Sequence, residues 1–157
     1  MFSFSRRKQT IDAAPRIRQI IDATCPNLIA ASEQRSARRY NRCIPVVLGE
    51  WTNDGPDLEH TGFGFVTDLG DRGFCVLTKF YPKSDQNIIG FFLPNTDMTE
   101  PWFFRVNFRA YRNEPQGFIR IGYEVIECLN ENFKSQLQGF EQQLYQMLEV
   151  EPVAATV

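Results

Sequence analysis

Phe63-Gly64-Phe65-Val66-Thr67-Asp68-Leu69-Gly70-Asp71-Arg72-Gly73-Phe74-Cys75-Val76-Leu77 reads as two β-rich runs joined by a turn. Aromatic and β-branched residues flank a cluster of Gly and Asp, the residue types that accept the geometry of a tight hairpin. Upstream, Arg38-Arg39-Tyr40-Asn41-Arg42 runs straight into a further apolar stretch, Cys43-Ile44-Pro45-Val46-Val47. From 43 to 126 the same pattern recurs as short β-rich runs punctuated by Gly, Pro, Asn and Asp, as an antiparallel sheet or barrel requires. Six strands are expected, at about 43–50, 61–69, 73–80, 87–93, 102–111 and 117–127. The fifth alternates Trp102, Phe104, Val106 and Phe108 on one face with Arg105, Asn107 and Arg109 on the other, which predicts a core face and a wet face. Asn113-Glu114-Pro115-Gln116-Gly117 closes the last hairpin, since Pro fixes φ and Gly tolerates a positive one.

The flanks follow a helical period instead. Ile17, Ile20, Ile21 and Leu28 recur around breaks at Pro15 and Pro26, predicting a helix over 15–23 and another over 28–34 within an N-terminal extension, residues 1–34. Phe133, Leu137, Phe140, Leu144 and Met147 or Leu148 mark an amphipathic helix over 131–149, with Glu131, Lys134, Gln138, Glu141, Gln142 and Gln143 between them. Its apolar stripe is expected to cap the open end of the barrel; the alternative is an exposed surface for a homodimer or a partner. The barrel with this helix would form a domain over 35–149, followed by a frayed tail, 150–157.

With 157 residues, 43% of them hydrophobic and fourteen of them Phe, the chain can bury a sizeable core. A net charge of −2 argues against broad, salt-driven capture of nucleic acid or anionic lipid, so any anion site is local. Cys25, Cys43, Cys75 and Cys128 show no C-x-x-C spacing and sit among apolar residues, as reduced thiols packed as small hydrophobes do. No segment approaches the roughly twenty apolar residues of a bilayer span, and Met1 to Lys8 lacks the apolar run of a signal peptide. The expectation is a soluble cytoplasmic protein.

Arg-x-x-x-Arg before a first strand, followed by Asp-x-Ser-x-x-Gly on the next strand and turn, is the pattern of the PilZ family of bacterial cyclic di-GMP receptors. The chain resembles it over about residues 35–145, with Arg38 and Arg42, then Asp68, Gly70 and Gly73. Gly70 stands where the family usually has Ser, and Ile121-Gly122-Tyr123 is similar to the family's closing strand. The resemblance implies a mainly β fold, a six-stranded antiparallel β-barrel with short N-terminal helices and a C-terminal amphipathic helix. It also implies cyclic di-GMP as ligand, with no other cofactor.

That ligand presents two phosphodiester anions and two guanine bases. Guanidinium groups fork onto phosphate or the guanine O6/N7 edge and stack on rings, which suits Arg38 and Arg42, with Arg39 as auxiliary. Arg35 and Arg39 form an overlapping register that spacing alone does not exclude; Arg42 is favoured because it abuts the first strand as the family motif does. The Asp68 carboxylate can accept from the guanine amine and imino groups, or shape the turn, or both. Gly73 supplies permissive φ and leaves room for a ligand. The Ser hydroxyl absent at Gly70 is worth roughly 0.5–1.5 kcal/mol, against roughly 1.5–3 for each charge-assisted arginine contact.

Other chemistries have thinner support. His60, the sole histidine, is expected in a polar loop over 53–60, and Asp57, Glu59 and His60 there lack the rigid set a metal centre needs. Gly62-Phe63-Gly64 lacks the spacing of a phosphate loop, and no Ser has a partnered base, so no enzyme is expected. Phe103, Arg105, Arg109, Tyr111 and Arg112 could form a strip for single-stranded nucleic acid, but the net negative charge weighs against it. Without an output of its own, the receptor would act on a protein effector, through reorientation of helix 15–23. The runner-up is a degenerate PilZ-like adaptor that contacts its partner without the nucleotide.

Overall fold

Alternation along the β-rich runs puts apolar side chains on one face of each strand, and a sheet with one such face buries it by curling onto itself. The computed structural model, which describes residues 9–24, 40–53, 55–94, 96 and 98–149, shows that outcome. Six strands, β1 (Tyr40–Thr52), β2 (Gly55–Gly70), β3 (Gly73–Thr78), β4 (Gln86–Phe91), β5 (Trp102–Asn113) and β6 (Ile119–Cys128), close into a barrel in the order β1-β2-β3-β6-β5-β4. All neighbouring strands are antiparallel. Inside, Phe74, Phe91 and Phe104 meet edge to face with centroids 5.1, 5.7 and 5.6 Å apart, surrounded by aliphatic residues such as Val46, Val66 and Ile121. The expected mainly β, six-stranded barrel with flanking helices is the fold. The last hairpin turns at Gln116 and Gly117, with φ of 65° and 80°.

Neither helix sits where the sequence reading put it. Helix α1 (Ala14–Thr24) inserts Ile17, Ile20 and Ile21 into the same core as the barrel interior, so it closes the end where β1 starts and β2 finishes. Ile11, just before it, bridges to the backbone of Cys128, and Arg16 donates to the Cys128 sulfur. The C-terminal helix does not cap an end. It is broken into α2 (Asn130–Phe133), a 3-10 turn (Lys134–Leu137) and α3 (Gln138–Leu148), and it covers the outside of the barrel. There Phe140 and Leu144 pack on Val47 of β1, Ile88 of β4 and Phe103 of β5. The outer face of β5 is therefore dry at its start, where Phe103 is 2% exposed, and wet only further along. The helix 28–34, Cys25 and the tail 150–157 lie outside the described residues. Of the other thiols only Cys128 is buried, while Cys43 is exposed on the outer side of an irregular stretch of β1.

Within the polar run, residues 55–60 are strand rather than loop. β1 and β2 join tightly through Asn53, at φ 39°, and Asp57 pairs with Glu50 across the hairpin. His60 stacks on Phe80 at 4.4 Å, with its Nε2 2.8 Å from the Tyr81 carbonyl oxygen. Composition misleads here because the run faces a buried acid. Glu50, 2% exposed, accepts hydrogen bonds from the backbone N–H of Lys83 (2.7 Å) and Ser84 (3.1 Å), from the Ser84 hydroxyl, and from Asn87 Nδ2 (3.0 Å). These bonds pin the β3–β4 connection to β1. Each donor left buried without an acceptor costs about 1–3 kcal/mol. Glu50→Ala is expected to lower the free energy of unfolding in urea by at least about 3 kcal/mol; a loss under about 1 kcal/mol would show that the connection does not depend on this carboxylate.

Candidate functional site

Asp68 reaches the outer surface because of a bulge. Strand period would put Val66 and Leu69 on opposite faces, yet both are fully buried in the barrel core. The register shift between Val66 and Asp68, where two residues of β2 oppose one of β3, resets the phase. Leu69 then points inward opposite Phe74, and Asp68 opposite Cys75 lines a cleft on the outside.

Gly70 pairs with Gly73 at the end of the hairpin, with Asp71 and Arg72 as its two-residue turn. Among the described glycines only Gly117 has a positive φ, so the permissive φ expected of Gly73 is not what the position needs. A Cβ there would lie 2.4 Å from the Tyr123 carbonyl oxygen, because the turn is drawn against β6, with Val125 N–H donating to the Arg72 carbonyl at 2.8 Å. Gly122, opposite Cys75 and Ala110, has open space above it; its nearest neighbour to an added Cβ is the Ala110 oxygen at 3.9 Å.

These residues form a cleft of about 550 Å³, floored by Gly70, Gly73 and Gly122 and walled by Asp68 on one side and Glu124 and Arg109 on the other. Arg109 and Glu124 form an ion pair at the rim. The lining carries three carboxylates, Asp68, Asp71 and Glu124, against two guanidiniums, Arg72 and Arg109.

Arg42 is elsewhere. It belongs to β1 rather than to a lead-in, one residue past Asn41, the β1 partner of Asp68. Its Nε donates to Thr24 Oγ1 at 2.8 Å, and that hydroxyl donates in turn to the Ile20 carbonyl at 2.7 Å. It lines a separate cleft of about 310 Å³ with Thr24, Ile44, Leu93 and Leu148. The structure thus brings Asp68, Gly70 and Gly73 together and turns Arg42 towards α1, while Arg38 and Arg39 lie outside the described residues.

Arg109, Glu124 and the open floor at Gly122 escaped the sequence reading of this site, since they join it only through the β3–β6–β5 register. The aromatic and basic strip on β5 is broken up: Phe103 is buried under α3, Arg105 pairs with Glu127 at 2.6 Å over the Trp51 ring, and Arg112 pairs with Glu114 at 2.9 Å. Two arginines hold Glu114 below the usual carboxylate range, chiefly Arg120 and then Arg112. Among the described residues, no three His, Cys, Asp or Glu gather as a metal set, and no helix is long and apolar enough to cross a membrane.

No protein-family model matches the chain, and no curated protein matches it. Among solved structures it is similar to the Bacillus subtilis inhibitor of motility, MotI/DgrA, with 14% identity, a TM-score of 0.46, and coverage of 75% of this chain and 53% of that one. It is also similar to the K. pneumonia MrkH in complex with c-di-GMP, at 12% identity and a TM-score of 0.41, with the same coverage of 75% and 53%. The chain spans about half the length of these two proteins.

The two glycines should respond unequally to the same methyl group. Gly73→Ala forces the turn off β6 and is expected to destabilise the protein by about 2 kcal/mol or more in chemical denaturation, whereas Gly122→Ala should stay within about 1 kcal/mol. Equal effects at both positions would contradict the close approach at Gly73.

Proposed function

We propose that the chain is a PilZ-like receptor for cyclic di-GMP, acting on a protein effector in the cytoplasm. The observation that carries this reading is the convergence of Asp68, Gly70 and Gly73 on one glycine-floored cleft beside the start of β1. Its volume of about 550 Å³ suits a small ligand. Arg38 and Arg39 immediately precede Tyr40 in sequence, and Tyr40 pairs with Leu69 of the cleft lining, which supports assigning them to the ligand.

Charge divides the labour. An excess of carboxylates in the lining repels phosphate, so this part of the cleft suits base edges, and the phosphate-neutralising charge comes from Arg38, Arg39 and Arg42. Arg42, which lines the separate cleft with Thr24, would turn from it towards the ligand, and this couples the ligand to the C-terminal end of α1. Wholesale release of α1 would expose Ile17, Ile20 and Ile21, costing about 1.5–3 kcal/mol each. Together that is about 4.5–9 kcal/mol, comparable with the whole of the roughly 8 kcal/mol that a micromolar ligand supplies, which favours a response limited to the Thr24–Arg42 contact and the segment joining α1 to β1.

Gly70 in place of Ser and the Arg42–Thr24 bond favour a second reading, a PilZ-like adaptor that does not bind the nucleotide. Such an adaptor would present surfaces such as the outer face of β2, where Phe63 and Phe65 are exposed. Calorimetry separates the two. The receptor is expected to give saturable heat with cyclic di-GMP, weakened about tenfold or more in Arg42→Ala and tightened about tenfold in Gly70→Ser. A folded wild type that gives no heat up to high micromolar ligand would favour the adaptor.

A further inference from the structure

The cleft has two acidic walls, and only one belongs to the motif. Asp68 stands on β2 and Glu124 on β6, with β3 between them. Two interstrand spacings separate their strands, roughly 10 Å. Glu124 faces Gly73 across the β3–β6 ladder, while Asp68 faces Cys75, so the carboxylates are also offset along the strands. Glycines floor the space between them. Two acceptors so placed serve two separate parts of one ligand rather than a shared atom.

We propose that Glu124 is a second base-reading group of this cleft, which with Asp68 selects guanine over adenine in a cyclic dinucleotide, and that Arg109 is its positioning residue. The proposal rests on the receptor reading above. Guanine offers adjacent N1–H and N2–H donors, a match for an acceptor-only carboxylate, whereas adenine places an N1 lone pair at the corresponding position. A site built around acceptors rejects a ligand lacking the donors more strongly than an apolar pocket rejects a change of size. Arg109 binds Glu124 through its guanidinium and so holds the carboxylate at the rim of the cleft. The carboxylate, about half exposed, keeps a face open to a ligand.

The test is Glu124→Gln, which keeps the shape of the side chain and replaces half of its acceptor capacity with a donor. Calorimetric titrations with cyclic di-GMP and cyclic di-AMP are run on the wild type, Glu124→Gln and Arg109→Ala, with thermal melts as a folding control. Expected for Glu124→Gln is a loss of cyclic di-GMP affinity of about tenfold or more, a narrowed preference over cyclic di-AMP, and an unchanged melt. Arg109→Ala should lose less affinity and keep the preference for guanine. Unchanged binding in Glu124→Gln, the mark of a mere surface ion pair, would overturn the proposal while leaving the receptor reading intact. So would tighter binding of both ligands, the mark of a carboxylate that only repels phosphate. A wild type that binds neither ligand overturns both.

Discussion

Closure of the sheet is the constraint on which the rest depends. Once β4 pairs with both β1 and β5, the ring has an inside and an outside, and each strand residue is assigned to one of them. The inside is filled by aromatic and branched side chains, leaving one end for α1 to close with three isoleucines. The outside is then divided: α3 dries the surface around Val47, Ile88 and Phe103, and the glycine-floored cleft occupies the β2–β3–β6 side. Backbone pairing of six strands thus holds α1, α3 and the cleft in fixed relation.

The cleft depends on two departures from regular strand geometry. The bulge at Asp68 turns a carboxylate outward that the period would have misplaced, and the absence of a side chain at Gly73 lets the hairpin lie against β6. Neither supplies positive charge. The lining has more carboxylates than guanidiniums, so in the receptor reading the positive charge would come from Arg38, Arg39 and Arg42. In this structure Arg42, the described member of that group, is bonded to Thr24 at the end of the core helix. In that reading recognition and response would share one side chain, with Arg42 turning from Thr24 in its own cleft towards the ligand.

Much of the fold was legible because period is a local property. Trp102 to Phe108 announced their strand by alternation, and Asn113 to Gly117 announced its hairpin by turn chemistry. The helix roles were not legible, since amphipathicity states that a helix has a face to bury but not what covers it; the cap expected of α3 is formed by α1, which reads in the sequence as an extension. The strand at Pro56 to His60 hid behind polar composition, which pairing of Pro56 with Trp51 and of Asp57 with Glu50 overrode. At the site, Asp68, Gly70 and Gly73 were legible from their spacing, but the steric demand at Gly73 comes from Tyr123, fifty residues along the chain. Glu124 carried no local signal and Arg109 only that of a wet strand face, because register across three strands brings them to the cleft.

Amide hydrogen exchange with and without saturating cyclic di-GMP tests the central claim most directly, since it reads ligand contact and segment ordering together. Slowed exchange at Tyr40 to Arg42, Asp68 to Gly73 and Gly122 to Glu124, with α3 unchanged, is the expected result. A folded protein whose exchange at those three segments is the same with and without the ligand would contradict it.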